Sequence, residues 1–451
     1  MSSIYSRVSS ANTFDNSVRN IGMRQSSLAS LQENLTSGKR VVRTSDDPTS
    51  AAIAERSLTR ISRIAADQRA LESQRNAIAM AESTLGDMTD ALQNFRELVV
   101  SAGNASHTKL EREAIAFQLS GIRDQIMEMS NLKDTNGVPL FSALGSALKP
   151  FVGPQAAAPD YTFDGLPGHS ASGSVSIPFA LDGDSAFMFN NKRDGVYNAA
   201  VSLAPANPVA VPPYGYNLVA PDQLQEEYKT PNRHFSTSEI QTYDPALVTG
   251  DKYQITFSNV GSGASANTST ATYTITNLTT GVSDAPVTVP DFPSKGPVNI
   301  EINTNSTALN TPSMPGLKFT MNGLPATGDT ITLDSQASIF SVLDDAVKDI
   351  GGAPNNNAVT QAVTQALHNI DIGMQRVSGV RGQAGDLLTR ADRITDNQGK
   401  RSDQLEADRS RAEDLDMIKG VSDFNNQQTG YQAALQTYAQ IQKLSLFNFV
   451  G

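Results

Sequence analysis

The chain has 451 residues, 39% hydrophobic but only 6% aromatic, with no Trp, no Cys and a formal net charge of −11. That length exceeds what one growing core sustains, so two or three domains are expected. The absence of cysteine excludes disulfides, zinc–thiolate sites and cysteine nucleophiles, and the acidic balance argues against a nucleic-acid partner, which needs a concentrated basic surface. The first residues, Met1 to Arg7, carry no secretory signal, and no apolar run reaches the roughly 18–20 residues that span a bilayer. No membrane insertion is expected, and the chain is either cytoplasmic or leaves by a route without a cleaved signal.

Phe14, Ile21, Leu28 and Leu35 recur every seven residues, with Val18, Gln25 and Gln32 on the adjoining row. This is a coiled-coil seam ending at Gly38. Thr44 to Pro48 reads as a cap followed by proline at the first helical position. A long helix then runs to about Val100, with Ile64, Leu71, Ile78, Leu85, Leu92 and Val99 at strict heptad spacing. Ile115, Leu119, Ile122, Ile126 and Met129 mark a third helix, and Asn136-Gly137 predicts a small hairpin after it.

From 142 to 335 the pattern becomes short strands rich in Gly, Pro, Ser and Thr, such as 252–257 and 272–276, with a proline-rich linker at 204–213. Helices resume at Ser338, first with Ile339, Val342, Leu343 and Val347, then with a stripe from Val363 to Ala391. The final helix sets Met417, Phe424, Tyr431 and Tyr438 beside Val421, Gln428 and Leu435. Between Asp423 and Lys443 it has no charged residue, unusual for a solvated helix. Packing of identical copies side by side would explain this, because each charge would meet its own kind.

The expected fold is α+β: an elongated helical coiled-coil bundle built from both termini, with a central inserted β-rich region. Its divisions are an assembly helix at 1–40, half of the bundle with a hairpin at 41–141, β-rich outer domain(s) at 142–335, the other half of the bundle at 336–410, and an assembly helix at 411–451. Few apolar anchors serve the terminal helices, too few to offset the entropy of ordering them alone. They are expected to be disordered in the monomer and to fold on assembly. The expected interface comprises Phe14, Val18, Ile21, Leu28, Leu35, Val421, Phe424, Tyr431, Leu435 and Tyr438.

No catalytic, cofactor-binding or metal-ligating set is expected. His107, His169, His234 and His368 lie far apart in different predicted elements. Gly261 to Ser265 lacks the GK[ST] and the helix of a phosphate loop and reads as a strand connection. Asp182-Gly183-Asp184 lacks the other ligands of a calcium loop and reads as a turn, while Asp46 and Asp47 before Pro48 read as helix caps.

Three stretches carry a family resemblance: Leu31 to Arg40 followed by Ser45 to Pro48, the turn Asp134 to Phe141, and the ending Asn425 to Leu435 with Lys443 to Asn448. Together they resemble the flagellins and their axial relatives, with a looser likeness around Gly328 to Leu333 and Ser338 to Phe340. The resemblance implies a non-enzymatic structural subunit of the bacterial flagellum, exported unfolded through the flagellar type III apparatus and lying outside the cell. Pro48 and the Leu444-to-Asn448 ending are similar to the branch that forms the hook–filament junction. The implied partners are the first hook-associated protein, flagellin, copies of the chain in a ring, and an export chaperone on the C-terminal helix. The alternatives are a flagellin filament subunit, a non-flagellar fibre or adhesin, and an enzyme housed in the β region.

Overall fold

The computed structural model describes residues 10–156, 159–168, 173–204, 235–265, 268–293, 298–303, 314–323 and 325–450. Residues 205–213 of the proline-rich linker, His169 and His234 lie outside them. Helices α1 (Ser10–Ser37), α2 (Pro48–Ala102) and α3 (Lys109–Ser130) open the chain. Helices α4 (Gly183–Phe187), α5 (Ile339–Gly352), α6 (Asn356–Glu413) and α7 (Met417–Val450) follow. The chain divides into two compact units, Met1–Leu71 with Asp392–Gly451, and Glu72–Ala391; α2 and α6 contribute to both. The expected boundaries at 40 and 410 lie beside connections between helices and not at the borders of these units.

In the first unit, α1 packs along α7. Gly38 stops α1 at φ +69°, a conformation that costs glycine little. Asp47 starts α2 by accepting from the backbone N–H groups of Thr49 and Ser50, both at 3.1 Å. The Ser50 side chain foremost, then its backbone N–H, with Arg40 and Thr49, hold the Asp47 carboxyl down at about 2.

In the second unit the α2 heptad residues Ile78, Leu85, Leu92 and Val99 are buried. The guanidinium of Arg381 on α6 donates to Glu82, and that of Arg96 to Asp371, at 2.8 and 2.9 Å. These crosslinks set α2 and α6 antiparallel. Helix α3 begins with a capping box between Thr108 and Glu111 and packs on α5, where Arg123 pairs with Asp344. The turn after α3 is closed by Asp134, whose Oδ1 accepts from the N–H groups of Asn136 and Val138, and by Gly137 at φ +81°. Asp182 turns out to cap α4, accepting from Asp184 N–H.

The β region also belongs to this unit. Strands β1 (Phe151–Val152) and β2 (Thr162–Phe163) form a small ladder. Strands β3 (Tyr197–Ser202), β6 (Tyr253–Ser262), β7 (Thr268–Asn277), β8 (Val287–Pro293) and β11 (Thr330–Ser335) form an antiparallel sheet in the order β3-β11-β6-β7-β8. In a second sheet, β10 (Leu317–Gly323) pairs with β9 (Val298–Asn303) on one side and with β4 (Phe235–Thr237) and β5 (Gln241–Thr242) on the other. Strict alternation along β7 and β10 sends one face of each sheet into a shared core that includes Tyr253, Ile255, Phe257, Ile331, Phe319 and Met321. Gly261 and Ser262 end β6 in the β6–β7 connection, where Gly263 N–H bonds Thr268 O.

A ladder of buried amides seats this region on α6. Gln365 Oε1 accepts from Ala199 N–H at 3.0 Å, and Gln361 Nε2 donates to Ala199 O at 2.6 Å. Asn369 Nδ2 donates to Tyr197 O at 3.0 Å, and Gln361 Oε1 accepts from Thr237 N–H at 3.1 Å. The spacing 361, 365, 369 places all three on one helix face. They satisfy the outer edge of β3 and the nearby edge of β4, groups that would otherwise be left unpaired.

Candidate assembly interface

The α1–α7 pair holds the residues that the heptad spacing singled out, and it sorts them into two rows. On α1, Ile21, Leu28 and Leu35 are half-buried, as are Arg24 and Leu31. On α7, Phe424, Gln427, Tyr431, Ala434 and Tyr438 form the matching half-buried row at 3-4-3-4 spacing, above buried Gly420. A Cβ on Gly420 would stand 3.2 Å from Leu35 Cδ2, and one on Gly430 would stand 2.5 Å from the Arg24 guanidinium. Glycine at these two positions therefore lets α1 side chains lie directly on the α7 backbone. The Phe14 side chain and those of 441–450 are outside the described set.

The second row points away from the partner helix. Val18 and Val421 are each 46% exposed and Leu435 is 40% exposed. Heptad spacing did not single out Met23 or Ile418, which are also largely exposed, at 56% and 87%. Their signal in the sequence was only an apolar residue off both rows. Two helices with one seam each between them can cover one row of each and leave the other to water or to a neighbour.

The connections at the base of this pair are tied together. Arg40 N–H donates to Glu413 O at 2.7 Å and Leu415 N–H to Gly38 O at 2.9 Å, so the α1–α2 and α6–α7 connections form a short antiparallel bridge. Lys39 pairs with Glu413, and Arg40 reaches Ser50 Oγ at 3.0 Å and Ala412 O at 2.9 Å. Arg43 pairs with Glu33 at 2.9 Å. Lys39 and Arg40 are thus fasteners between two chain segments far apart in sequence.

The two described histidines sit elsewhere and apart. His107 Nδ1 lies 3.7 Å from Glu111 Oε2 at the start of α3, and His368 is half-buried on α6. Among the described residues there is no cluster of three or more potential metal ligands.

The bacterial flagellin N-terminal helical region matches residues 8–145, and the bacterial flagellin C-terminal helical region matches residues 367–450. The two ends are similar to flagellin helical regions. Flagellar hook-associated protein 3 of Escherichia coli strain K12 is 27% identical over 210 residues, 45% of this chain and 60% of that relative's length. A flagellin of Clostridium tyrobutyricum is 22% identical over 428 residues, 94% of this chain and 96% of its own. Among solved structures, a flagellar hook-associated protein-3 from Legionella pneumophila aligns with a TM-score of 0.55 at 20% identity, covering 78% of this chain and 97% of that one. The flagellin-like fold, with helices from both termini and a central β region, is therefore shared with that solved structure. The α1–α7 seam joins the two flagellin regions.

Proposed function

We propose that this chain is a structural subunit of the bacterial flagellum that forms the ring joining the hook to the flagellin filament. The observation that carries this reading is the open second row of the α1–α7 pair, Val18 on α1 with Val421 and Leu435 on α7, together with the absence of charge on α7 from Phe424 to Gln442. Exposed apolar positions without charge suit a surface that identical neighbours cover. Ile21, Leu28, Leu35, Phe424, Tyr431 and Tyr438 hold the seam within one chain, and the second row meets the next. The likeness to hook-associated protein 3 supports the junction over other axial positions.

In this role the first hook-associated protein lies on one side of the ring and flagellin on the other. The chain reaches its place outside the cell by export in an unfolded state, with a chaperone holding α7 beforehand. The role is structural and not enzymatic. A strain lacking the chain should shed its filaments and lose swimming, and the wild-type chain should restore both. Normal filament attachment without the chain would overturn the proposal.

A filament subunit is the second reading, and the end-to-end match to the Clostridium tyrobutyricum flagellin is what favours it. Purified chain that polymerises into long filaments unaided would decide for that reading.

A further inference from the structure

The ring proposed above needs each copy to offer two different surfaces, because a contact between like patches closes a dimer and goes no further. Two helix rows outside the α1–α7 pair have no occupant among the described residues. On α2, Ile53, Arg56, Arg60 and Arg63 follow one another at 3-4-3 spacing and all are exposed. None of these arginines has an ion-pair partner among the described residues, although like charges three and four apart repel.

On α3, Leu110, Ala114, Phe117, Gly121, Asp124 and Glu128 form one outward row. Leu110 is 76% and Phe117 80% exposed, and a Cβ on Gly121 would meet nothing within 4 Å. Asp124 touches Arg123 Nε at 2.8 Å, but its side chain stays 71% exposed and Arg123 is also bonded to Asp344. The buried stripe of the same helix, Leu119 and Ile126, already serves its own unit.

The rows are complementary in charge, although their spacings differ, 3-4-3 on α2 against 4-3-4 from Phe117 on α3. Seven residues after an exposed apolar residue each row carries a charge, Ile53 to Arg60 and Phe117 to Asp124, about 10.5 Å along each helix axis, with Arg56 between them on α2 and Gly121 on α3. Three or four residues further stand Arg63 and Glu128. The signs are opposite, and Gly121 gives the approaching helix room between the apolar contact and the charged ones.

Resting on the junction reading, we infer that the α2 row of one copy docks in parallel against the α3 row of a second copy of this chain. Ile53 packs on Phe117 and Gly121, Arg60 pairs with Asp124, and Arg63 pairs with Glu128. The contact is heterologous, so it can repeat around a ring, and its charges fix the register more than they add strength.

The test uses the full-length chain in a strain lacking its own copy. R60E/R63E should weaken association about tenfold or more and release filaments. Adding D124K/E128K to the same chain should restore attachment. Because the chain has no cysteine, R60C and D124C can be placed on separately tagged copies and treated with a short bis-maleimide. Crosslinked heterodimers are expected in assembled flagella, and R60C copies alone should give none. Wild-type attachment by R60E/R63E, failure of the charge swap to rescue, or absence of heterodimers in flagella that carry filaments would each overturn the docking. Those results leave the junction reading standing, which falls only if the deletion strain keeps its filaments.

Discussion

Asp345 on α5 shows how a single carboxyl can work against the fold that holds it. Burial, and then the neighbouring Asp349, push it up to about 6. Asn198 Nδ2 donates to both carboxylates, at 2.9 and 3.1 Å, and Gln336 Nε2 donates to Asp345 at 2.8 Å. The folded chain therefore binds this proton more tightly than the unfolded chain does, and stability falls as pH rises from about 4 to 6. D345N should flatten that fall and raise stability at pH 7.5 by on the order of 1–2 kcal/mol, read from urea unfolding at several pH values. Asp47 has the opposite sign. Its lowered value contributes stability that is lost only as pH drops from about 4 toward 2. At Ser338, the buried hydroxyl accepts from Ser341 N–H at 3.1 Å to start α5, so S338A should cost about 1 kcal/mol in the same measurement.

At the scale of elements, L435D places a charge on the outward row of α7, where the proposed ring needs an apolar one. It should abolish filament attachment and leave the circular dichroism of the soluble chain unchanged, since Leu435 makes no part of the seam with α1. Q365A should cost roughly 2–3 kcal/mol, because Ala199 N–H and Thr237 Oγ1 both lose their partner, and hydrogen exchange at Ala199 should accelerate. The heptads of α2 were legible in the sequence because one buried face imposes one period. The direction of the two rows on α1 and α7 was not, since both rows carry apolar residues and only the partner helix tells them apart. The amide ladder was equally silent: nothing in the local pattern marks Gln361, Gln365 and Asn369, and only β3 and β4 lying against them give them partners. Strand alternation marked β6 and β7, but the pairing of β3 with β11 joins residues about 130 apart, beyond any local pattern.

For the whole molecule, the division into two units predicts two levels of protection. In the purified chain, amides of α1 and α7 should exchange far faster than those of α2 between Leu71 and Ala102, where the seam residues are fully buried. Equal protection at both would contradict the proposal that the terminal pair is completed only by neighbours. Within the larger unit, the seat of the β region has a different kind of consequence. Gln361, Gln365 and Asn369 bond chiefly to main-chain N–H and C=O groups of β3 and β4, groups that every non-proline residue supplies. Substitution elsewhere on the strands leaves those bonds untouched. The insert can therefore diverge freely in its outward sequence, or be exchanged for another of like edge geometry, while the helix beneath it stays the same.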